Sequence, residues 1–167
     1  MMPIEAANIY PDCPTIIRTV EVGHLSKSEL LQEFERHSIK MNEMGKRLFA
    51  DAPLARSASS RILKTVELQV RNLGFPNGAI WAEIFRAASE RGLNLCPIEA
   101  GPYLRLQYLD QPEGFWITVA SQKLCDMDDY PNGFYLRRLT DGLWLRGYTA
   151  APEHLWEAEE HFIFSHG

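Results

Sequence analysis

Partway along this chain the apolar residues change their period, and that change limits the fold more than anything else in the sequence. Before about residue 100 they recur mainly at helical spacing behind recognisable helix starts, whereas from Tyr103 onward they alternate between turn signals. Helices followed by a run of strands is α+β order. The expected architecture is therefore α+β, with amphipathic helices and strands in the N-terminal half followed by an antiparallel β-meander. With 167 residues, 46% of them apolar, the chain can bury one sizeable core and has little left for a second. A single domain is expected over residues 15–167, behind a flexible lead at 1–14.

In the first half, Ile16 to Val22 reads as a strand from its β-branched content. Ser26 and Glu29 then form a capping box, in which the serine accepts from the Glu29 N–H and the glutamate reaches back, so a helix starts there and buries Leu30, Leu31 and Phe34. A second helix over about Asn42 to Ala50 presents Met44, Leu48 and Phe49, and Asp51 to Ser60 reads as a loop. Val66, Leu68 and Val70 alternate with Glu67, Gln69 and Arg71, the mark of a strand with one wet face. After the turn Gly74 to Gly78, a helix carries Trp81, Ile84, Phe85 and Ala88 on one stripe and ends at Gly92. Arg18 to Val22 echoes Lys64 to Leu68, and the apolar exits Ile39 to Met41 and Leu93 to Leu95 echo each other, so two related strand-helix-strand units are weighed against the chance likeness of any two capped helices.

The second half suggests two hairpins. One pairs Tyr103 to Tyr108 with Phe115 to Ala120 across Asp110 to Gly114; the other pairs Phe134 to Leu139 with Leu143 to Tyr148, and Phe162 to Phe164 adds a last strand. A two-residue turn at Asp141-Gly142 would set Thr140 opposite Leu143 and Leu139 opposite Trp144. Phe134, Leu136, Leu143 and Leu145 then face the core, while Tyr135, Arg137, Trp144, Arg146 and Tyr148 face the other way, joined by Arg105 from the first hairpin. Planar guanidinium groups pair with carboxylate or phosphate, and tyrosine and tryptophan add apolar area with a polar tip. These six residues form the candidate ligand-binding face, set against the plainer reading that arginine stems merely cover neighbouring rings or that a helix covers the face.

Other chemistry is excluded or set aside. The net charge of −5 divides as 7 basic to 8 acidic residues through residue 60, 6 to 6 through residue 120 and 4 to 8 beyond, which opposes a nucleic-acid partner. The odd number of widely spaced cysteines, Cys13, Cys96 and Cys125, suits reduced thiols. With no secretory leader and no membrane-length apolar run, a cytoplasmic location without a membrane partner is expected. His154, Glu157 and His161 would align on a helix, but their spacing is that of no zinc motif, and Pro131 with Gly133 breaks the calcium-like loop of Asp126, Asp128 and Asp129. No nucleophile elbow, phosphate loop or dinucleotide fingerprint occurs, Cys96 reads as a buried inert thiol, and Glu83 and Glu99 read as helix-face charges. Neither metal nor cofactor is expected.

The stretches Leu73 to Ala79, Gly92 to Pro97 and Leu104 to Gly114 resemble an uncharacterised bacterial protein family with no assigned activity. That resemblance implies a bacterial, cytoplasmic context and transfers no catalytic residue. The functional expectation is a non-enzymatic binding or interaction domain that holds a small anionic ligand or an acidic protein segment on the arginine and aromatic face. The rivals are a small-molecule enzyme using His154, His161 or a carboxylate as acid-base group, and a subunit of a larger assembly or homo-oligomer.

Overall fold

In the computed structural model, which describes residues 8–166, the chain forms a curled mixed sheet with helices on both faces. The N-terminal half contributes β1 (Ile16–Val22), α1 (Lys27–Arg36), β2 (Lys40–Met41), α2 (Glu43–Asp51), β3 (Arg61–Gln69), β4 (Ala79–Ile80), α3 (Trp81–Glu90) and β5 (Leu93–Asn94). Then follow α4 (Ala100–Gln107), β6 (Trp116–Val119), β7 (Gly133–Leu139), β8 (Gly142–Tyr148), β9 (Leu155–Trp156) and β10 (His161–His166). The sheet order is β1-β3-β10-β6-β7-β8-β2, with β5 also on β10, and β4 pairs separately with β9. Most neighbours are antiparallel, but β10 runs parallel to β6 and β2 parallel to β8. No helix among the described residues is long and apolar enough to cross a membrane.

Each face of the sheet carries its own core, because alternate side chains of a strand point to opposite sides. On one side Val20, Val22, Ile117, Val119, Leu136, Leu145 and Ile163 pack against Leu30 and Phe34 of α1, Leu48 and Phe49 of α2, and Tyr103 and Leu104 of α4. On the other, Val66, Leu68, Phe162 and Phe164 pack against Ile84, Ala87 and Ala88 of α3. The capping box of α1 forms as its spacing dictates, with Ser26 Oγ accepting from Glu29 N and Glu29 Oε1 accepting from Ser26 N. Gly92 follows α3 at φ +79°, the left-handed conformation a glycine adopts without strain. The two strand-helix-strand stretches place α1 and α3 on opposite faces, so they build no common repeat core.

Two expectations are corrected. Residues 103–108 do not form a strand: Ala100–Gln107 is a helix. Its alternation of Tyr103, Leu104, Arg105, Leu106 and Gln107 mimics a period of two because this short helix is buried on nearly every side, which erases the polar stripe that marks a surface helix. Pro102 sits in its first turn, where a missing N–H costs nothing. The meander is thus β6-β7-β8 alone, and β10 joins it from the far end of the chain. The second correction is the wet face expected of β3, where Glu67 and Thr65 are buried. At the N-terminus, residues 1–7 of the lead lie outside the described part, and contacts begin at Ile9. Ile9 bridges Leu73, Tyr10 N donates to Asn72 O, and Tyr10 and Cys13 are buried.

Candidate functional site

The β7-β8 turn falls at Thr140-Asp141, one residue earlier than expected, with Gly142 at φ +118° just after it. Leu139 therefore opposes Gly142 and Arg137 opposes Trp144. Each residue's partner moves by two, an even shift, so every side chain keeps the face assigned to it. Phe134, Leu136, Leu143 and Leu145 are buried, while Tyr135, Arg137, Trp144, Arg146 and Tyr148 are half-buried on the other side. That side is the one α3 covers further along, over β3 and β10; it leaves the part over β6, β7 and β8 open.

Strand register arranges this open part as rows of rings and cations. Trp116, Arg137, Trp144 and Lys40 stand opposite one another in turn across β6, β7, β8 and β2, and the next row holds Thr118, Tyr135 and Arg146. The Arg137 guanidinium lies 5.1 Å from the Trp116 ring centre, and Arg146 lies 5.0 Å from that of Trp144. Each such contact is worth about 0.5–1 kcal/mol at an exposed site. Arg146 Nε also donates to the Tyr135 hydroxyl at 2.8 Å. Lys40 is held at the turn by the Asp141 carbonyl and carboxylate, and Trp144 Nε1 donates to Asp141 Oδ1 at 2.9 Å; that bond first, then Lys40, holds the Asp141 carboxyl below its usual range.

Arg18, Arg36, Arg56 and Arg61 have carboxylate partners, whereas among the described residues Arg137 and Arg146 have none. The Arg137 guanidinium also donates no hydrogen bond to any described residue. It borders a cleft of about 230 Å³ walled by Trp116, Tyr135, Tyr148, His154 and Trp156, with Thr118 below. The rings brace one another: Tyr148 meets Tyr135 edge-on at 6.2 Å and Trp156 at 5.7 Å, and His154 meets Trp156 at 4.9 Å. Burial pushes the Tyr148 phenol far above its ordinary range, so it stays a neutral wall. Trp156 is 6% exposed and its indole N–H has no partner among the described residues, a situation that costs about 1–3 kcal/mol in a folded protein. Glu160, half-buried on the Trp116 and His154 side, has its carboxyl held up by burial and then by Glu157, against the Glu157 N–H, His154 and Trp116.

Trp116, whose alternation already sets it on the outward face, completes the cleft opposite Arg137. His154 and Trp156 lie outside the face deduced from sequence, since nothing in 150–160 signals that this segment folds back as a wall.

Arg105 does not belong to this face. It is fully buried beneath the sheet on the α4 side, donating to Gln111 Oε1 at 2.7 Å, Trp144 O at 3.2 Å and Tyr108 O. Gln111 in turn donates to Leu136 O. Burial brings the Arg105 pKa down to about 10, and no carboxylate among the described residues offsets it.

The histidines are also separated. His154 and His161 lie on either side of β9 rather than on a helix, and no group of three metal-binding side chains forms among the described residues. His161 Nδ1 instead meets Glu67 Oε2 at 2.8 Å, with its ring 4.7 Å from Phe115, while Arg18 holds the other Glu67 oxygen and lies over Tyr108. Burial would raise the Glu67 pKa, but His161 and Arg18 outweigh it and hold the carboxyl low. Cys96 is buried, its thiol pushed up to about 12 by desolvation, and so unreactive.

Compared with known protein families, curated proteins and solved structures, the chain shows no significant match to any of them.

Proposed function

We propose that this protein is a non-enzymatic binding domain that holds a small anionic ligand on the open face of β6, β7 and β8. The observation that carries this reading is the Arg137 guanidinium, which has no carboxylate or hydrogen-bond partner among the described residues and borders an aromatic cleft in a chain of net charge −5. Packed rings leave its N–H donors unspent, and those donors match a carboxylate or phosphate in pairs. Arg146, in the adjoining row between Tyr135 and Trp144, adds positive potential to the same side. Acid-base catalysis would want an oriented imidazole inside the cleft. Here His161, hydrogen-bonded to the Glu67 carboxylate, is on the opposite face, while His154 borders the cleft with no hydrogen-bonded carboxylate among the described residues. That division favours binding over turnover.

The test is thermal unfolding of the wild type and of the Arg137→Ala, Arg146→Ala double variant with a panel of organic acids, nucleotides and inorganic phosphate. A ligand specific to the folded form at a hundred times its Kd adds about 2.7 kcal/mol of stability. The expected outcome is a rise in Tm with an anion that the double variant loses. A rise of equal size in both proteins would place binding elsewhere.

A further inference from the structure

Resting on that reading, we infer that the ligand is a single-ring aromatic carboxylate, with its ring in the cleft and its carboxylate on Arg137. Size limits it first. A cavity of about 150 Å³ accepts a benzene molecule, so the cleft's 230 Å³ holds one ring with a short carboxylate arm. Drug-sized ligands need about 300–1,000 Å³, so a nucleotide would stand largely outside it. The walls limit it next. Trp116, Tyr135, Tyr148 and Trp156 offer ring faces and edges to a flat apolar body, which a simple inorganic anion would leave unused.

Polar groups then set the orientation. Arg137 is the cation on the cleft with unspent donors, whereas Glu160, on the Trp116 and His154 side, repels an anion placed there.

Calorimetric titration of the full chain with benzoate, 4-hydroxybenzoate, benzamide, acetate and inorganic phosphate tests the inference, with fluorescence of the cleft tryptophans as a second signal. Benzoate is expected to bind about tenfold more tightly than acetate and than its neutral counterpart benzamide, and Arg137→Gln to remove the margin over benzamide while leaving the ring's margin over acetate. Benzoate no tighter than acetate or phosphate would overturn the ring assignment while leaving the broader anion reading standing. Benzamide as tight as benzoate would overturn the role of Arg137, and the absence of binding by every anion would sink both readings. The benzamide comparison needs no variant, and Arg137→Lys, which keeps the charge but loses the planar fork, serves if the glutamine variant fails to fold.

Discussion

At the scale of single residues, the two arginines Arg105 and Arg137 show how one side-chain chemistry serves opposite ends. Arg137 leaves its donors unspent among the described residues at the edge of an aromatic cleft, whereas Arg105 spends its Nη atoms on a glutamine and two backbone carbonyls beneath the sheet. A buried charge without a counter-ion is costly, and removing the side chain leaves a cavity and a stranded Gln111. Arg105→Ala is expected to lower stability by about 3–5 kcal/mol in urea unfolding. Arg105→Met, which refills the volume and removes the charge, is expected to cost less than half as much. Equal losses in both variants would mean that the guanidinium's hydrogen bonds, not its volume, carry the stability.

At the scale of elements, α2 reaches β8 through two glycines. A Cβ on Gly147 would stand 2.7 Å from the Met44 backbone carbon, and one on Gly45 would stand 2.9 Å from the Leu145 carbonyl oxygen. Asn42, which caps α2, also accepts from Gly147 N and donates to Gly147 O, so the cap and the helix-sheet contact are one device. Since backbone cannot step aside as a side chain does, Gly147→Ala is expected to cost about 2–3 kcal/mol, measured by thermal unfolding. A loss below half a kilocalorie would show that α2 slides.

Elements with their own local signal were legible in advance. The capping box at Ser26 and the glycine exit at Gly92 became the structure they announce, and the alternation around Val66 became a strand, but one that ends at Gln69 and buries Glu67 on the face expected to be wet, because α1, α2 and α4 cover that side of the sheet. The sorting of Tyr135, Arg137, Trp144, Arg146 and Tyr148 also survived a misplaced turn, because side-chain facing depends only on whether the register shift is even. Arg105 was lost because a helix buried all round carries no 3.6-residue contrast. The wall at His154 and Trp156 was lost because two-residue strands such as β4 and β9 are specified by tertiary partners rather than by their own residues.

At the scale of the whole molecule, the Glu67 cluster ties three strands, β1, β3 and β10, through Arg18 and His161. Folding holds the Glu67 carboxyl below its usual range, so its contribution is complete above the ordinary carboxylate pKa of about 4.3 and disappears as pH falls through the lowered value. Because Arg18 and His161 are partly exposed, the contribution is roughly 1–3 kcal/mol. Glu67→Gln is therefore expected to be less stable than wild type at pH 7 and to show a flatter decline between about pH 5 and pH 3, in urea midpoints taken across that range. Parallel declines for the two proteins would remove Glu67 from the acid response.

The strand at the centre of the sheet has a further consequence in time rather than in energy. β10 lies between β3 and β6, yet it is the last strand in chain order. Synthesis runs from the N-terminus, so a ribosome releases β1 with β3, and β6 with β7 and β8, before the strand that joins them exists. During that interval the inner edges of both half-sheets present unpaired N–H and C=O groups beside apolar side chains. Each growing chain thus passes through a moment when its own missing strand is what any stray strand would imitate, and speed of translation through residues 120–160 sets how long that moment lasts.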